Sequence, residues 1–198
     1  MSVITLTPTL LHAASRQLAQ RVMSAGFQPQ VVVGILNGGA QVARLMLEAL
    51  PQEAIYCEVS ISRPSTQHKR QSFTQRLLRQ MPLWLCNLLR VVESRVTELR
   101  SSRSALIRIG DITLSPEAEA RMQSAPCQVL IIDDAIDSGA TIKKVSEQLL
   151  ERFSDIELRV AVITVTTPHP LCDADFCLYH NRTLCRFPWS NDYRGGNS

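Results

Sequence analysis

Residues 129–141 read VLIIDDAIDSGAT and hold three carboxylates beside a turn of small residues. The apolar run 129–132 predicts a buried strand, which ends at Asp133 and Asp134. In an open α/β sheet, this places both carboxylates at the edge where ligands bind. Two acids at that edge can accept hydrogen bonds from vicinal sugar hydroxyls or face a metal ion carried by a ligand.

The turn that follows predicts a phosphate site. It opens a helix, so backbone N–H groups and hydroxyls gather at a helix N-terminus, where anions bind. The turn comprises Asp137, Ser138, Gly139, Ala140 and Thr141. Its glycine lets the backbone approach a ligand closely. An ordinary strand followed by a capped helix would explain the apolar run but not three crowded like charges.

A second turn of this kind lies nearer the N-terminus. Residues 31–39, VVVGILNGG, predict a strand that runs into a tight turn and a helix, which again aims backbone amides at an anion. The turn comprises Leu36, Asn37, Gly38 and Gly39. Alone, such a turn is ordinary; paired with residues 129–141, it indicates contact with an anionic ligand.

Strands and helices alternate around these two segments. Continuous apolar runs predict five buried strands, at 30–36, 54–62, 105–109, 128–133 and 157–166. Helical patterns lie at 9–25, 40–50, 115–124 and 141–153. The alternation predicts an α/β fold with a doubly wound, mainly parallel sheet and right-handed crossovers.

One long segment interrupts this alternation. From Phe73 to Arg100, apolar residues recur at steps of three or four, which predicts one helix or two, with a break near Pro82. We expect a helical insertion at about 73–103. It packs on its own domain, binds a partner protein or makes a dimer interface.

Composition favours a single domain over residues 1–198. A chain of 198 residues with 45% hydrophobic and 20% charged residues can bury one substantial core. Its net charge of +3 is small and its arginines are scattered, which argues against nucleic-acid binding. The N-terminus lacks a secretory signal, and no apolar run reaches the roughly 20 residues that span a bilayer. Because the six cysteines also lack a CxxC pair, we expect a cytoplasmic protein without membrane association.

At all thirteen positions, residues 129–141 closely resemble the phosphoribosyl-pyrophosphate motif of the type I phosphoribosyltransferase family. The resemblance implies that the chain uses Mg²⁺ and transfers ribose 5-phosphate from phosphoribosyl pyrophosphate to a nitrogen heterocycle, releasing pyrophosphate. It makes Asp133 and Asp134 binding residues for the ribose, and for Mg²⁺ through ligand or water. Asp137 stands where enzymes acting on hypoxanthine, xanthine and guanine keep an aspartate that handles the proton of the attacking nitrogen, as a general base would.

The resemblance also assigns the earlier turn to pyrophosphate. In the family, this loop often contains a non-proline cis peptide, which the resemblance places between Leu36 and Asn37. Many relatives carry Lys or Arg where this chain has Asn37. Asparagine can donate hydrogen bonds, but one fixed positive charge is lost.

Residues 60–70, SISRPSTQHKR, occupy the place of the family's flexible catalytic loop. That loop closes over the reacting centre and excludes water. Arg63 is a candidate substrate-binding residue, and Lys69 and Arg70 are candidate catalytic residues that would neutralise the departing pyrophosphate. A solvated basic loop is the alternative.

The C-terminal segment, about 168–193, resembles the hood of bacterial xanthine/guanine enzymes. Trp189 would pack on a purine, where stacking is worth roughly 0.5 to 1.5 kcal/mol, or else serve as a core or lid aromatic. Asp192 is a second candidate substrate-binding residue in this segment. Those enzymes place a lysine after the preceding strand, whereas this chain has Thr166 and Thr167, which offer only neutral hydrogen bonds. The acceptor is thus left open.

The main alternative is a regulatory protein that keeps the phosphoribosyl-pyrophosphate pocket as a sensor without turnover. Asn37 and the missing lysine favour it. The intact acid triplet and the lack of a helix-turn-helix with a basic recognition helix argue against it. An enzyme with a non-standard acceptor is the third interpretation. Because family members commonly dimerise, a homodimer is expected.

Overall fold

The computed structural model describes residues 2–60, 112–124, 126–180 and 183–193. Several of the predicted features lie outside the described residues. These are the strand at 105–109, the helical insertion at 73–103 and the loop residues Arg63, Lys69 and Arg70.

The described residues form seven strands and four α-helices. The strands are β1 (Ser2–Thr5), β2 (Val31–Ile35), β3 (Ile55–Val59), β4 (Cys127–Ile136), β5 (Ile156–Val165), β6 (Phe176–Tyr179) and β7 (Thr183–Arg186). The helices are α1 (Pro8–Ser24), α2 (Gly38–Met46), α3 (Pro116–Ser124) and α4 (Ala140–Arg152), with a 3-10 turn at Leu47–Ala49.

Five of these strands make one sheet in the order β3-β2-β4-β5-β6, and every pairing in it is parallel. The predicted α/β class and mainly parallel sheet are therefore confirmed. β1 and β7 pair with each other in a separate two-stranded parallel sheet.

Helices cover both faces of the five-stranded sheet. Side chains alternate across a strand, so Val32 and Leu130 pack with residues of α1 and α2, whereas Val33 and Ile131 pack with residues of α3 and α4. All five residues of β2 are buried. This double coverage explains why β2 reads as a continuous apolar run rather than an alternating one.

The strand β4 extends beyond its predicted end. The apolar run predicted a strand over residues 128–133. In the structure, β5 pairs with β4 as far as Ile136 and Val165, and this pairing keeps the acids within the strand. Asp133 pairs with Val162, and Asp134 follows it within the same strand.

The strand order of the sheet has a switch point between β2 and β4, because successive strands are added in opposite directions on its two sides. β3 lies on the outer side of β2, while β5 and β6 lie on the outer side of β4. Such a switch point opens a crevice at the carboxyl ends of the strands, where ligands of open α/β folds bind. The topology therefore brings the turn after β2 beside the acids and the turn of β4. Among the described residues, no helix combines the length and hydropathy needed to cross a bilayer.

Candidate active site

Asp133 and Asp134 form a partly buried acid pair near the carboxyl end of β4. The backbone N–H of Asp134 donates to Asp133 Oδ1 at 2.9 Å. Burial, and then the adjacent Asp134 charge, raises the pKa of Asp133 well above its usual range. Burial also raises the pKa of Asp134, against a hydrogen bond from Trp189 that lowers it. The pair is thus electrostatically costly as two anions and suited to hydrogen-bond donors or a cation.

The turn after β2 packs directly on the acid pair. A Cβ at Gly38 would overlap the Asp134 carboxylate. A Cβ at Gly39 would lie 2.5 Å from the carbonyl oxygen of Ile132 and 2.7 Å from Asp133 Cα. The packing at both positions therefore leaves no room for a side chain. This packing joins the two sequence motifs into one site.

The peptide bond between Leu36 and Asn37 is cis, at the position that the resemblance implied. Both residues are exposed at the rim of the crevice. They flank the buried glycines of the same turn.

The turn after β4 is braced by the segment that follows β5. Gly139 has φ 77° and occupies the N-cap of α4, where it offers no side-chain cap. Ser138 Oγ accepts from the Ala140 N–H at 3.3 Å, and the Ser138 carbonyl accepts from the Leu171 N–H at 2.8 Å. A Cβ at Gly139 would lie 2.8 Å from the Cys172 nitrogen. The N-terminus of α4 thus lies at the carboxyl edge of the sheet, where it can bind an anion.

Asp137 lies at the start of this turn and is exposed. Its Oδ1 accepts a hydrogen bond from the Thr166 hydroxyl at 2.7 Å. Sequence reasoning considered Thr166 only as a replacement for a lysine and missed this contact. No signal in the sequence gives this contact, because it depends on the register of β4 and β5, which pairs Ile136 with Val165 and so brings the next residue of each strand together.

The C-terminal segment reaches the acid pair through Trp189. Its indole N–H donates to Asp134 Oδ2 at 2.9 Å. One face of the ring stacks on Phe187, with 4.9 Å between centroids and 7° between planes. Stacking of Trp189 on a base stays a prediction.

Asp192 has a different environment. Its Oδ2 accepts from Arg186 Nε at 2.9 Å, and both side chains are buried. Arg186 also donates to the Thr5 hydroxyl at 2.9 Å, so the ion pair joins the C-terminal segment to β1. The predicted substrate contact of Asp192 remains untested.

Comparison with known proteins decides the family. Residues 3–179 match the phosphoribosyl transferase domain. The chain belongs to this family. No curated protein sequence is significantly similar to it.

Solved structures share the fold of this chain at low identity. A purine phosphoribosyltransferase from Pyrococcus horikoshii Ot3 is 17% identical with a TM-score of 0.60, and the match covers 96% of this chain and 95% of that chain. A hypothetical protein from Neisseria gonorrhoeae with bound ppGpp is 17% identical with a TM-score of 0.57, over 95% and 89%. A xanthine-guanine-hypoxanthine phosphoribosyltransferase from Helicobacter pylori is 16% identical with a TM-score of 0.54, over 94% and 92%.

The donor set of this site fits a magnesium ion carried by a ligand. Within the described residues, no three or more His, Cys, Asp or Glu side chains cluster as a metal site would require. Two adjacent carboxylates, Asp133 and Asp134, suit a Mg²⁺ that keeps several waters and takes further ligands from phosphate oxygens. A closed, all-protein metal cage does not form among these residues.

Proposed function

We propose that this phosphoribosyltransferase transfers ribose 5-phosphate from phosphoribosyl pyrophosphate to a ring nitrogen of a purine-like heterocycle and releases pyrophosphate. One observation carries the proposal: the acid pair, the turn 36–39 and the turn 137–141 meet at one edge of the sheet. A sugar that bears a phosphate and a pyrophosphate has hydroxyls suited to the acid pair and anionic groups suited to the two turns.

Each part of the site would hold one part of that substrate. Asp133 and Asp134 would accept hydrogen bonds from the ribose hydroxyls. The N-terminus of α4, with Ser138 to Thr141, would bind the phosphate, because its N–H groups and helix dipole favour an anion. The turn 36–39 would contact the pyrophosphate.

Mg²⁺, when bound, would supply positive charge that stabilises the leaving pyrophosphate. Asp133 and Asp134 would hold it through the ligand or through water. Their pKa values are raised by burial, and a nearby cation relieves the repulsion between the two carboxylates.

The chain's own residues would then handle the acceptor proton. As the bond from C1 of the ribose to the pyrophosphate oxygen breaks, the ring nitrogen forms its bond to C1, and Asp137 accepts the proton released from the base. Its carboxylate is exposed and so accessible to an acceptor. Arg63, Lys69 and Arg70 would stabilise the departing pyrophosphate.

Trp189 supports a purine-like acceptor, because an indole beside the acid pair offers a flat apolar surface at the ribose site. The names of the Pyrococcus and Helicobacter structures point the same way. The acceptor would enter between this residue and Asp137.

The test is pyrophosphate release from phosphoribosyl pyrophosphate and Mg²⁺ against a panel of purines, pyrimidines and other nitrogen heterocycles, with calorimetric binding in parallel. We expect release that depends on one acceptor, reduced 10²- to 10⁴-fold or thereabouts in Asp137→Asn with binding retained. An exposed aspartate at the opposite edge of the sheet, Asp155, provides the control substitution Asp155→Asn. No binding of phosphoribosyl pyrophosphate would refute the proposal.

A nucleotide-binding regulatory protein is the second candidate. The Neisseria protein of the same fold was crystallised with bound ppGpp, a guanine nucleotide with two pyrophosphate groups. Tight binding of phosphoribosyl pyrophosphate or of such a nucleotide, with no turnover of any acceptor, would favour this function.

A further inference from the structure

We infer that Thr166 is a positioning residue for Asp137: its buried hydroxyl holds the carboxylate that would take the proton of the acceptor. This inference rests on the proposed function. It assigns a purpose to a residue at a position where bacterial xanthine/guanine enzymes, by the resemblance above, carry a residue that contacts the base.

Thr166 is hydrogen-bonded to the end of β4 through both its backbone and its side chain. Its backbone N–H donates to the Ile136 carbonyl at 2.9 Å, which continues the β4–β5 pairing by one residue. Its hydroxyl lies 2.7 Å from Asp137 Oδ1 and 3.2 Å from the same Ile136 carbonyl. A hydroxyl has one proton to donate, and the shorter distance with a charged acceptor favours Asp137.

The two partners of this bond differ in solvent exposure. Thr166 is only 4% exposed, so its hydroxyl is fixed by the surrounding sheet. Asp137 is exposed and begins a turn, where a side chain would otherwise sample several rotamers. The bond therefore transfers the rigidity of the sheet to one oxygen of a solvent-accessible carboxylate.

Such positioning should affect the chemical step more than substrate binding. A proton acceptor must lie within hydrogen-bond reach of the proton it takes, so rotational freedom of Asp137 lowers the fraction of productive complexes. The ribose and phosphate contacts lie elsewhere, on the acid pair and the N-terminus of α4, and do not need the Thr166 hydroxyl.

The chain contains a matched control two residues earlier on the same strand. Thr164 is also fully buried, and its hydroxyl donates to the Thr183 carbonyl at 2.6 Å. Removing that hydroxyl in Thr164→Val deletes a buried bond of β5 without touching Asp137.

The experiment compares Thr166→Val, Thr166→Ser and Thr164→Val in turnover with the acceptor that the panel identifies. We expect Thr166→Val to lower kcat roughly tenfold, a part of the 10²- to 10⁴-fold effect of general acid–base catalysis, with the KM for phosphoribosyl pyrophosphate changed less than about twofold. Thr166→Ser should restore most of the kcat, because the hydroxyl returns. Thr164→Val should lower the Tm but keep kcat. If Thr166→Val does not fold, Thr166→Ala provides the second hydroxyl-free variant.

The outcomes separate this inference from the proposed function. Wild-type turnover that Thr166→Val leaves unchanged, or a loss that Thr166→Ser fails to reverse, overturns the positioning role alone. An equal loss of kcat in Thr164→Val also overturns it, because the effect would then be one of general stability. Absence of wild-type turnover with every acceptor overturns both.

Discussion

At the scale of single residues, burial makes the charged forms of Asp133 and Asp134 energetically costly. Asp133 and Asp134 lie side by side on a paired strand, and burial raises the pKa of both carboxyl groups. A folded protein tolerates such repulsion where a ligand or metal relieves it. The pair therefore has a measurable effect on stability in the free protein.

Asp133→Asn should stabilise the free protein at pH 8. The folded pKa of Asp133 lies above the unfolded one, so the folded state binds the extra proton between them, and the free energy of unfolding falls as pH rises through that window. We expect a Tm higher than wild type by about 2–4 °C, equivalent to about 1 kcal/mol in a chain of this size, shrinking as pH falls toward the unfolded pKa. Thermal unfolding without Mg²⁺ and phosphoribosyl pyrophosphate measures this, with Asp155→Asn as control. A lower Tm than wild type at pH 8 would contradict it.

Trp189→Phe isolates the bond between the indole N–H and Asp134. Phenylalanine keeps an aromatic ring to stack on Phe187 but has no donor. We expect urea unfolding to show a loss of about 1.5–3 kcal/mol, the scale of a hydrogen bond to a charged group. The same substitution made in Asp134→Asn should cost less, and equal costs in both backgrounds would show that the bond contributes nothing.

At the scale of elements, the site depends on two turns that pack against each other. Gly38 and Gly39 begin α2 and contact the residues of β4 that carry the acids. A side chain there would push the turn away from β4. The turn after β2 and the strand β4 thus act as one structural unit.

Gly39→Ala should be costly, with Gly26→Ala as its matched control. A Cβ at Gly39 meets backbone at 2.5 Å, whereas a Cβ at Gly26 meets nothing within 4 Å and suffers only from a φ of 77°. We expect Gly26→Ala to destabilise by about 1 kcal/mol and Gly39→Ala by about 1–3 kcal/mol, together with weaker binding of phosphoribosyl pyrophosphate. Urea unfolding and calorimetry check both, and a Gly39→Ala variant with the stability and binding of the wild type would contradict the packing argument.

Local sequence predicted the elements that carry the site. The apolar runs of β2 and β4 and the small-residue turns after them are signals within 15 residues or so, and the family resemblance rests on the same signals. The 3-10 turn at Leu47–Ala49 shortens α2 relative to its predicted end at Leu50. β1, β6 and β7 were not predicted, because four-residue strands show little periodicity and Ser2 pairs with Thr183 across most of the chain.

The contacts that complete the site could not be predicted in the same way. The bond from Thr166 to Asp137 depends on the register between β4 and β5, and that from Trp189 to Asp134 depends on where the C-terminal segment folds back. Both join residues that are far apart in sequence. Residue type suggested a function for each, but only tertiary structure supplies the partner.

At the scale of the whole molecule, the N-terminal strand pairs with the C-terminal segment. β1 pairs with β7, and the buried ion pair of Arg186 and Asp192 reaches the Thr5 hydroxyl. Trp189 lies between these two residues in sequence and contacts the acid pair. The arrangement links β1 and the described C-terminal segment to the site.

Asp192→Asn should destabilise the protein by about 3–5 kcal/mol, because the substitution removes the carboxylate charge of a buried ion pair. Urea unfolding measures the loss, and Asp155→Asn is the exposed control. A change in acceptor KM with unchanged stability would instead support the direct substrate contact predicted from sequence. Gel filtration of the same samples tests the proposed homodimer.

The most direct test of the central claim is the stoichiometry of the product. The protein is incubated with phosphoribosyl pyrophosphate, Mg²⁺ and the acceptor that the panel identifies, and mass spectrometry follows the nucleotide while a coupled assay follows pyrophosphate. We predict one nucleoside 5′-monophosphate for each pyrophosphate released, and neither product at a comparable rate from Asp137→Asn. Pyrophosphate release without a nucleotide, or no consumption of phosphoribosyl pyrophosphate with any acceptor, would contradict the account.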